Sequence, residues 1–327
     1  MNQVSFHPSD SIIRTLNLAE TTKRFYSLNS PNIRINGIRL FQLIFKKNLE
    51  IGEILISQPE LNIHGKNSEI DDKKSNISAL FQELKPLVTR NFKAIKINKI
   101  ELANASFDFY NLVGDSKKLS NAEKITIGIL NFYTDSVLLP NPDRLFDAQD
   151  IYLRMQNYQN KLADSIHSLS AEMVTYSLKR SQIEAQNIEL KPVTKNNPDK
   201  ARYAVHVSQS KMISSQINEF YRNDKIPIDS LILSGANIKY WPGLKLIKYS
   251  TEPKDEFNLY ELIQKEFAGV SIQNFKLEDA QLTLFKSPAD QTSQQELKNI
   301  KINLEDFLLD SVSGRDTSRI FYAKNID

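Results

Sequence analysis

Large apolar residues recur in one pattern in four windows of sixteen residues, which begin at Leu49, Ile95, Ile226 and Val270. In every window they occupy positions 1, 3, 6, 8, 13 and 15, and a small residue or proline occupies position 11. Polar residues fill most of the other positions. Because side chains two residues apart lie on the same face of a β-strand, the pattern predicts strands with an apolar face.

Two steps in this pattern are odd, from position 3 to 6 and from position 8 to 13. An odd step moves the apolar side chains to the other face of a strand unless a bulge or tight bend restores the register. We therefore expect each window to form two or three short strand segments joined by bulges or tight bends. The β-branched, alternating composition disfavours a helix in the windows.

A short amphipathic stretch precedes each window, and its apolar spacing of three and four predicts a helix of two or three turns. These stretches are residues 37–48, 76–88, 211–224 and 258–267. Asn76 and Asn258 are suitable N-caps for two of these helices. Composition also predicts polar loops at residues 66–75, 191–200 and 287–296. Further strand-like segments cover residues 125–133, 151–158, 168–178 and 183–190.

The whole arrangement is duplicated, because Ile95 and Val270 are 175 residues apart and the match continues without a gap. Within it, Arg144, Phe146 and Ala148 recur as Arg319, Phe321 and Ala323. We expect a first repeat over residues 33–193 and a truncated second repeat over 194–327, after a partial repeat or irregular N-terminus over 1–32. Because Asp327 corresponds to residue 152 inside a strand-like segment, we expect an interior fragment of a longer protein or a truncated gene model.

Composition disfavours several classes of function. Lys and Arg number 42 against 39 Asp and Glu, so the net charge of +3 gives no electrostatic basis for binding nucleic acid. The absence of cysteine excludes disulfides and thiolate chemistry, and nine glycines offer little material for phosphate-binding loops. No apolar run is long enough for a membrane span, and the N-terminus lacks the pattern of a signal peptide.

The sequence offers no catalytic or metal-binding constellation. The four histidines have no metal-ligand spacing, and the S-x-x-K match at Ser208 and Lys211 lacks the companion motifs of serine acylating enzymes. Nucleotide-binding, hydrolase-elbow and zinc-protease motifs are also missing from the sequence. We therefore expect a protein that is not an enzyme, with no metal or cofactor.

Four segments carry a resemblance to a known family: IKINKIELANASFDFY, IPIDSLILSGANIKYW, NLYELIQKEF and SQIEAQNIELKPV. Over roughly residues 33–327, the chain resembles the repeated strand motif of AsmA-like bacterial envelope proteins. The resemblance implies a periplasmic protein anchored by one inner-membrane helix, which this chain lacks. It also implies a long curled sheet with an apolar inner face, related to repeating β-groove lipid-transfer proteins, and a role in outer-membrane biogenesis or envelope lipid homeostasis.

The expected fold is mainly β: an elongated, curled antiparallel sheet, or β-groove, of two tandem repeats with short helices. Paired β-sandwiches are the alternative. The expected function is non-enzymatic binding and transfer of a phospholipid or other acyl lipid, with membrane contact through missing terminal parts. The alternative is a structural or protein-interaction scaffold of the envelope with a dry core.

The odd steps leave open which face of each strand would line such a groove. The expected lining residues are Ile97, Leu102, Phe107, Phe109, Ile228, Leu233, Ile238, Ile272, Leu277, Leu282 and Leu284.

Overall fold

The computed structural model describes residues 2–6, 25–65, 92–111, 118–135, 148–161, 167–193, 201–217, 225–243, 269–287, 295–310, 313 and 322–327. These ranges contain fourteen strands and one helix. The first strands are β1 (Asn2–Phe6), β2 (Phe25–Asn36), β3 (Asn48–Ser57), β4 (Glu60–Gly65), β5 (Ala94–Asn111), β6 (Lys118–Asp135) and β7 (Asp150–Lys161). The helix α1 (Leu40–Lys46) connects β2 with β3.

The remaining strands are β8 (His167–Ser177), β9 (Gln182–Pro192), β10 (Arg202–Ile213), β11 (Lys225–Trp241), β12 (Gly269–Leu284), β13 (Gln295–Asp310) and β14 (Asn325–Ile326). All described strands belong to one sheet, in the order β1-β2-β3-β5-β6-β7-β8-β9-β10-β11-β12-β13-β14, with β4 paired to β2 and β5. Most strand pairs are antiparallel. The pairs β11 with β12, β3 with β5 and β4 with β5 are parallel. The expected mainly-β, mostly antiparallel sheet is therefore confirmed, in place of paired sandwiches. By internal contacts, the chain forms two compact units, residues 1–157 with 175–181 and residues 158–174 with 182–327.

The four windows form the strands that their pattern predicts. The second, third and fourth windows are continuous strands of 18, 17 and 16 residues, rather than the two or three short segments expected. The first window is divided into β3 and β4 at Gln58 and Pro59. Long strands persist because a strand that is hydrogen-bonded on both sides tolerates a local irregularity without ending.

A left-handed residue occupies position 10 of every window. These residues are Gln58, Asn104, Gly235 and Asp279, with φ angles of 49°, 54°, 65° and 53°. The residue that follows each of them is buried: Pro59, Ala105, Ala236 and Ala280. The antiparallel ladders shift register at this point, between Leu102 and Ala105 and between Leu277 and Ala280. The expected bulges are therefore present, and they account for the odd step after position 8.

Strand pairing repeats with the sequence. The first and second windows pair in parallel at equal positions, as do the third and fourth, for example Ile51 with Ile97. Each second member then pairs antiparallel with the next strand, Ile97 opposite Phe132 in β6 and Ile272 opposite Phe307 in β13. These two pairs are related by the 175-residue offset of the duplication.

One expected helix is present, whereas the described part of a second, residues 211–217, is not an α-helix, and its residues 218–224 lie outside the described residues. Residues 37–48 contain α1, whereas Lys211–Ile213 belong to β10 and residues 214–217 form a turn. Lys211 pairs with Glu184 on one side and with Ile232 on the other, so sheet pairing overrides the local helical pattern. The expected helices at 76–88 and 258–267, with Asn76 and Asn258, lie outside the described residues.

The expected loops are shorter where the structure describes them. Lys191 and Pro192 belong to β9, and Gln295 and Glu296 belong to β13. The 66–75 loop and most of the other two loops lie outside the described residues. The four further strand-like segments coincide with β6, β7, β8 and β9.

Candidate functional site

The apolar positions of β3 and β5 share a face in the first unit. Ile51, Ile95 and Ile97 form a buried cluster at positions 1 and 3 of their windows. Ile54 and Ile100, at position 6, pack against the same cluster although they lie beyond the first odd step. Positions 1, 3 and 6 therefore face the same side of the sheet.

In the second unit, the apolar residues before and after the bulge face the same side of the sheet. Leu277 and Ala280, at positions 8 and 11, belong to one buried cluster with Val207 and Ala236. Phe275, at position 6, packs against that cluster. Strand alternation then places positions 13 and 15 on the same side as position 11. We call the side formed by positions 1, 3, 6, 8, 11, 13 and 15, with the apolar residues opposite them, the apolar face.

The apolar face contains both buried and half-buried large side chains. In the described part of the chain, fifteen apolar residues are buried, and six of these are alanines. Leu233, Ile238, Leu282 and Leu284 of β11 and β12 are half-buried. The face therefore combines buried residues with apolar side chains that keep contact with solvent.

All eleven residues expected to line a groove lie on the apolar face, in two groups. In the first unit, β5 carries Ile97, which is buried, and three half-buried residues, Leu102, Phe107 and Phe109. In the second unit, β11 and β12 carry the others as direct neighbours: Ile228 beside Ile272, Leu233 beside Leu277 and Ile238 beside Leu282, followed by Leu284. Each group thus lies within one unit.

Neighbouring strands add residues that the sequence analysis did not assign to the face. Ile300 and Ile302 of β13, Ile188 of β9 and Val205 of β10 pack against the buried cluster of the second unit. Phe132 of β6 does so in the first. Their alternation with polar residues was a signal for a strand, but the sixteen-residue pattern does not extend to these strands.

A pair of tyrosines lies at the end of the apolar face in the second unit. Tyr203 and Tyr240 are opposite each other in the ladder, with ring centroids 5.3 Å apart. His167 lies beside them, and its Nε2 accepts a hydrogen bond of 3.2 Å from the Tyr203 backbone N–H. Burial raises the pKa of both phenols, so they stay neutral at physiological pH. Neutral tyrosines suit a boundary between an apolar surface and water.

The opposite face of the first unit is charged. The Lys99 ammonium lies 3.4 Å from a Glu53 carboxylate oxygen and 3.1 Å from one of Glu101. The Tyr152 hydroxyl donates a hydrogen bond of 2.5 Å to Glu101. Burial alone would raise the pKa of Glu101, but hydrogen bonds from Tyr152 and Lys99 outweigh it and lower that pKa. The sheet here is amphipathic, with ion pairs on one face and aliphatic side chains on the other.

The described residues hold little that resembles a reaction centre. They contain no group of histidine, aspartate and glutamate spaced to hold a metal ion. The Ser208 hydroxyl donates a hydrogen bond of 3.3 Å to the Gly235 carbonyl. The described part of the chain also lacks a helix long and apolar enough to cross a membrane.

Comparisons with known proteins do not identify a family. No family model matches the chain, and no curated protein matches it at a significant level. A solved structure, the crystal structure of the sex pheromone staph-cAM373 precursor, aligns over 91% of this chain and 85% of its own, with 10% identity and a TM-score of 0.14. A TM-score this low carries no argument about fold or function.

Proposed function

We propose that this chain is a non-enzymatic lipid-binding segment of an AsmA-like bacterial envelope protein, and that its apolar face shields acyl chains during transfer between membranes. The observation that carries the proposal is that the apolar positions of the windows share one face of the sheet. Positions 1, 3 and 6 pack together in the first unit, positions 6, 8 and 11 pack together in the second, and a left-handed residue at position 10 compensates the odd step after position 8. Several large side chains along that face, such as Leu233, Ile238 and Leu282, remain half-buried.

Energetics favour a ligand on this face. Full burial of a Leu, Ile or Phe side chain contributes about 1.5–3 kcal/mol relative to full exposure. Half-buried residues such as Leu233, Leu282 and Phe107 therefore retain part of this free energy for a further apolar contact. An acyl chain supplies that contact without hydrogen bonds, and the strand backbone already satisfies its polar groups within the sheet.

The mechanism is passive. Acyl chains lie against the aliphatic side chains, and headgroups stay in water at the margin of the face. In the second unit, Tyr203 and Tyr240 are placed at the strand ends, where a neutral phenol can contact both an acyl chain and a headgroup. No bond is made or broken, so the function requires no catalytic residue.

The sequence resemblance supports the cellular side of the proposal. AsmA-like proteins act in the periplasm, anchored to the inner membrane, and the resemblance implies a sheet with one apolar face. The proposed setting is therefore the bacterial periplasm, in outer-membrane biogenesis or envelope lipid homeostasis. Phospholipid or another acyl lipid is the proposed partner.

The test is mass spectrometry of lipids extracted from the chain after detergent-free expression and size exclusion. We expect phospholipid at about one molecule per chain or more, and its loss in the double variant Leu233→Glu, Leu277→Glu. The matched control, Gln273→Glu with Gln281→Glu, adds the same two charges at exposed positions of β12 and should keep the lipid. Circular dichroism must show that both variants retain the sheet.

The alternative function is a structural or protein-interaction scaffold with a dry core. The buried cluster of Val207, Ala236, Leu277 and Ala280 is the observation that favours it, because these residues are already covered by protein. A well-folded chain that carries no lipid would favour this alternative over lipid transfer.

A further inference from the structure

The helix α1 presents its apolar side chains to solvent. Leu40, Phe41, Ile44 and Phe45 are 61%, 63%, 67% and 72% exposed. An amphipathic helix of a globular protein normally buries such residues against its core. Large apolar patches that remain exposed mark surfaces for interaction with a membrane or another protein.

These side chains form one surface. They occupy positions i, i+1, i+4 and i+5 of a helix, which lie on the same side. The rings of Phe41 and Phe45 are 4.9 Å apart. Gln42 and Leu43, on the other side of the helix, are half-buried. The apolar surface is therefore continuous and directed away from the sheet.

Hydrogen bonds hold this segment at the edge of the first unit. The Arg39 N–H donates to the Glu50 carbonyl at 3.0 Å, and the Lys93 N–H donates to the Lys47 carbonyl at 2.8 Å. Lys47 ends the helix in a left-handed conformation with φ of 56°. These bonds fix α1 at the start of β3 and β5, where the apolar face begins, because Glu50 follows position 1 of the first window and Lys93 lies two residues before position 1 of the second.

The segment that contains the helix carries charges of one sign. Residues 34–48 include four basic residues and no acidic residue. Arg39 lies 3.1 Å from Glu50 and is paired, whereas Lys46 and Lys47 are exposed next to Phe45. Glu53, the next acidic residue on β3, is bonded to Lys99. An apolar surface bordered by lysines is complementary to a bilayer with anionic headgroups.

We propose that α1 docks the chain onto an anionic lipid bilayer. Phe41, Ile44 and Phe45 enter the boundary between headgroups and acyl chains, and Lys46 and Lys47 contact the phosphates. This deepens the proposed function, on which it rests for the choice of lipid as partner, by naming the element that meets the membrane. Docking here brings the β3 and β5 end of the apolar face next to the bilayer from which an acyl chain would come.

The test is flotation of the full chain with unilamellar vesicles of phosphatidylcholine, with or without phosphatidylglycerol. We expect binding to the vesicles that contain phosphatidylglycerol and weaker binding to phosphatidylcholine alone. Since burial of one phenylalanine accounts for about a tenfold change or more, Phe41→Ser with Phe45→Ser should reduce binding by at least about tenfold. The matched control, Val193→Ser with Ile326→Ser, removes two exposed apolar side chains elsewhere and should bind as the parent does.

A second variant tests the electrostatic attraction between the lysines of this segment and anionic headgroups. Lys46→Gln with Lys47→Gln should remove most of the preference for phosphatidylglycerol and most of the salt dependence of binding. The proposal is overturned if the parent chain does not float with phosphatidylglycerol vesicles, or if the double phenylalanine variant floats equally well. Self-association of the parent that the phenylalanine variant abolishes, without vesicle binding, would overturn it in favour of a second copy of the chain.

The same variants separate this proposal from lipid binding on the apolar face. Phe41→Ser with Phe45→Ser should keep extractable lipid, because α1 lies outside the eleven lining residues. Leu233→Glu with Leu277→Glu should lose extractable lipid and still float with vesicles. If the parent chain floats but carries no extractable lipid, lipid binding on the apolar face fails. If it carries lipid but does not float, docking through α1 fails.

Discussion

The ring of Tyr152 lies directly over Gly128. A β-carbon built at position 128 would lie 2.0 Å from the ring carbon Cζ of Tyr152, so glycine provides the space in which the ring sits. Gly128 is opposite Glu101 in the ladder, and the Tyr152 hydroxyl crosses β6 to reach the Glu101 carboxylate. Three strands are thus joined on the charged face by one side chain.

Substitution of this glycine should displace the ring. Gly128→Ala should lower the free energy of unfolding by about 1–3 kcal/mol, because the added methyl group overlaps the phenol. Urea denaturation measures the loss. The double variant Gly128→Ala, Tyr152→Ala should show little extra loss over Tyr152→Ala alone, since the overlap is then absent. Equal additional losses in both backgrounds would contradict the proposed packing.

Acid should weaken the contribution of Glu101 to the free energy of unfolding. Hydrogen bonds from Tyr152 and Lys99 lower its pKa in the folded chain below the ordinary value of 4.5. A lowered carboxyl pKa stabilises the fold above the unfolded pKa and ceases to do so as the pH falls through the folded value. The stability difference between the parent and Glu101→Gln should therefore be largest near neutral pH and shrink below pH 4.5. Denaturation across this range checks it, and a difference that grows on acidification would contradict it.

The phenol of Tyr152 should lose its proton at a higher pH than an ordinary tyrosine. Burial, followed by its hydrogen bond to Glu101, raises the pKa of Tyr152 to about 12. Phenolate absorbance of the parent minus that of Tyr152→Phe should show one transition near pH 12. A transition near the ordinary value of 10 would show that the phenol is not held against Glu101.

Position 10 of the windows should tolerate glycine better than alanine. Asp279 has φ of 53°, a conformation that costs an ordinary L-residue about 1–2 kcal/mol. Asp279→Ala should lower the free energy of unfolding, and Asp279→Gly should leave it equal or slightly higher. Gly235→Ala should cost more than Asp279→Ala, because its added β-carbon would also lie 2.7 Å from the Ser208 hydroxyl. Equal unfolding free energies for the alanine and glycine variants at 279 would contradict the bulge.

Much of the sheet follows from the sequence because alternation is a local signal. The strands of all four windows and the existence of a bulge were predictable from apolar spacing alone. Its position was also accessible, since three of the four residues at position 10 are Asn, Gly or Asp, which adopt left-handed conformations most readily. The parallel pairing of one window with the next was not predictable from the sequence, because the apolar pattern does not specify the partner strand.

Two helical stretches show the limit of local pattern. Residues 211–224 have helical spacing, but the start of this stretch pairs with strands on both sides and is extended. Residues 37–48 do form a helix, yet its apolar side is exposed instead of buried. Periodicity predicts that a side chain lies on an apolar stripe, whereas the surroundings decide what that stripe contacts.

Photocrosslinking at adjacent residues of β12 tests whether acyl chains bind to the apolar face. Leu282 lies on the apolar face and is half-buried, whereas its neighbour Gln281 is exposed on the opposite face. A benzophenone side chain introduced at either position reacts with the C–H bonds beside it, and mass spectrometry identifies lipid adducts. We expect phospholipid adducts at position 282 and few at 281. Equal yields at both positions, or none at 282 in a folded chain, would contradict an apolar face that binds acyl chains.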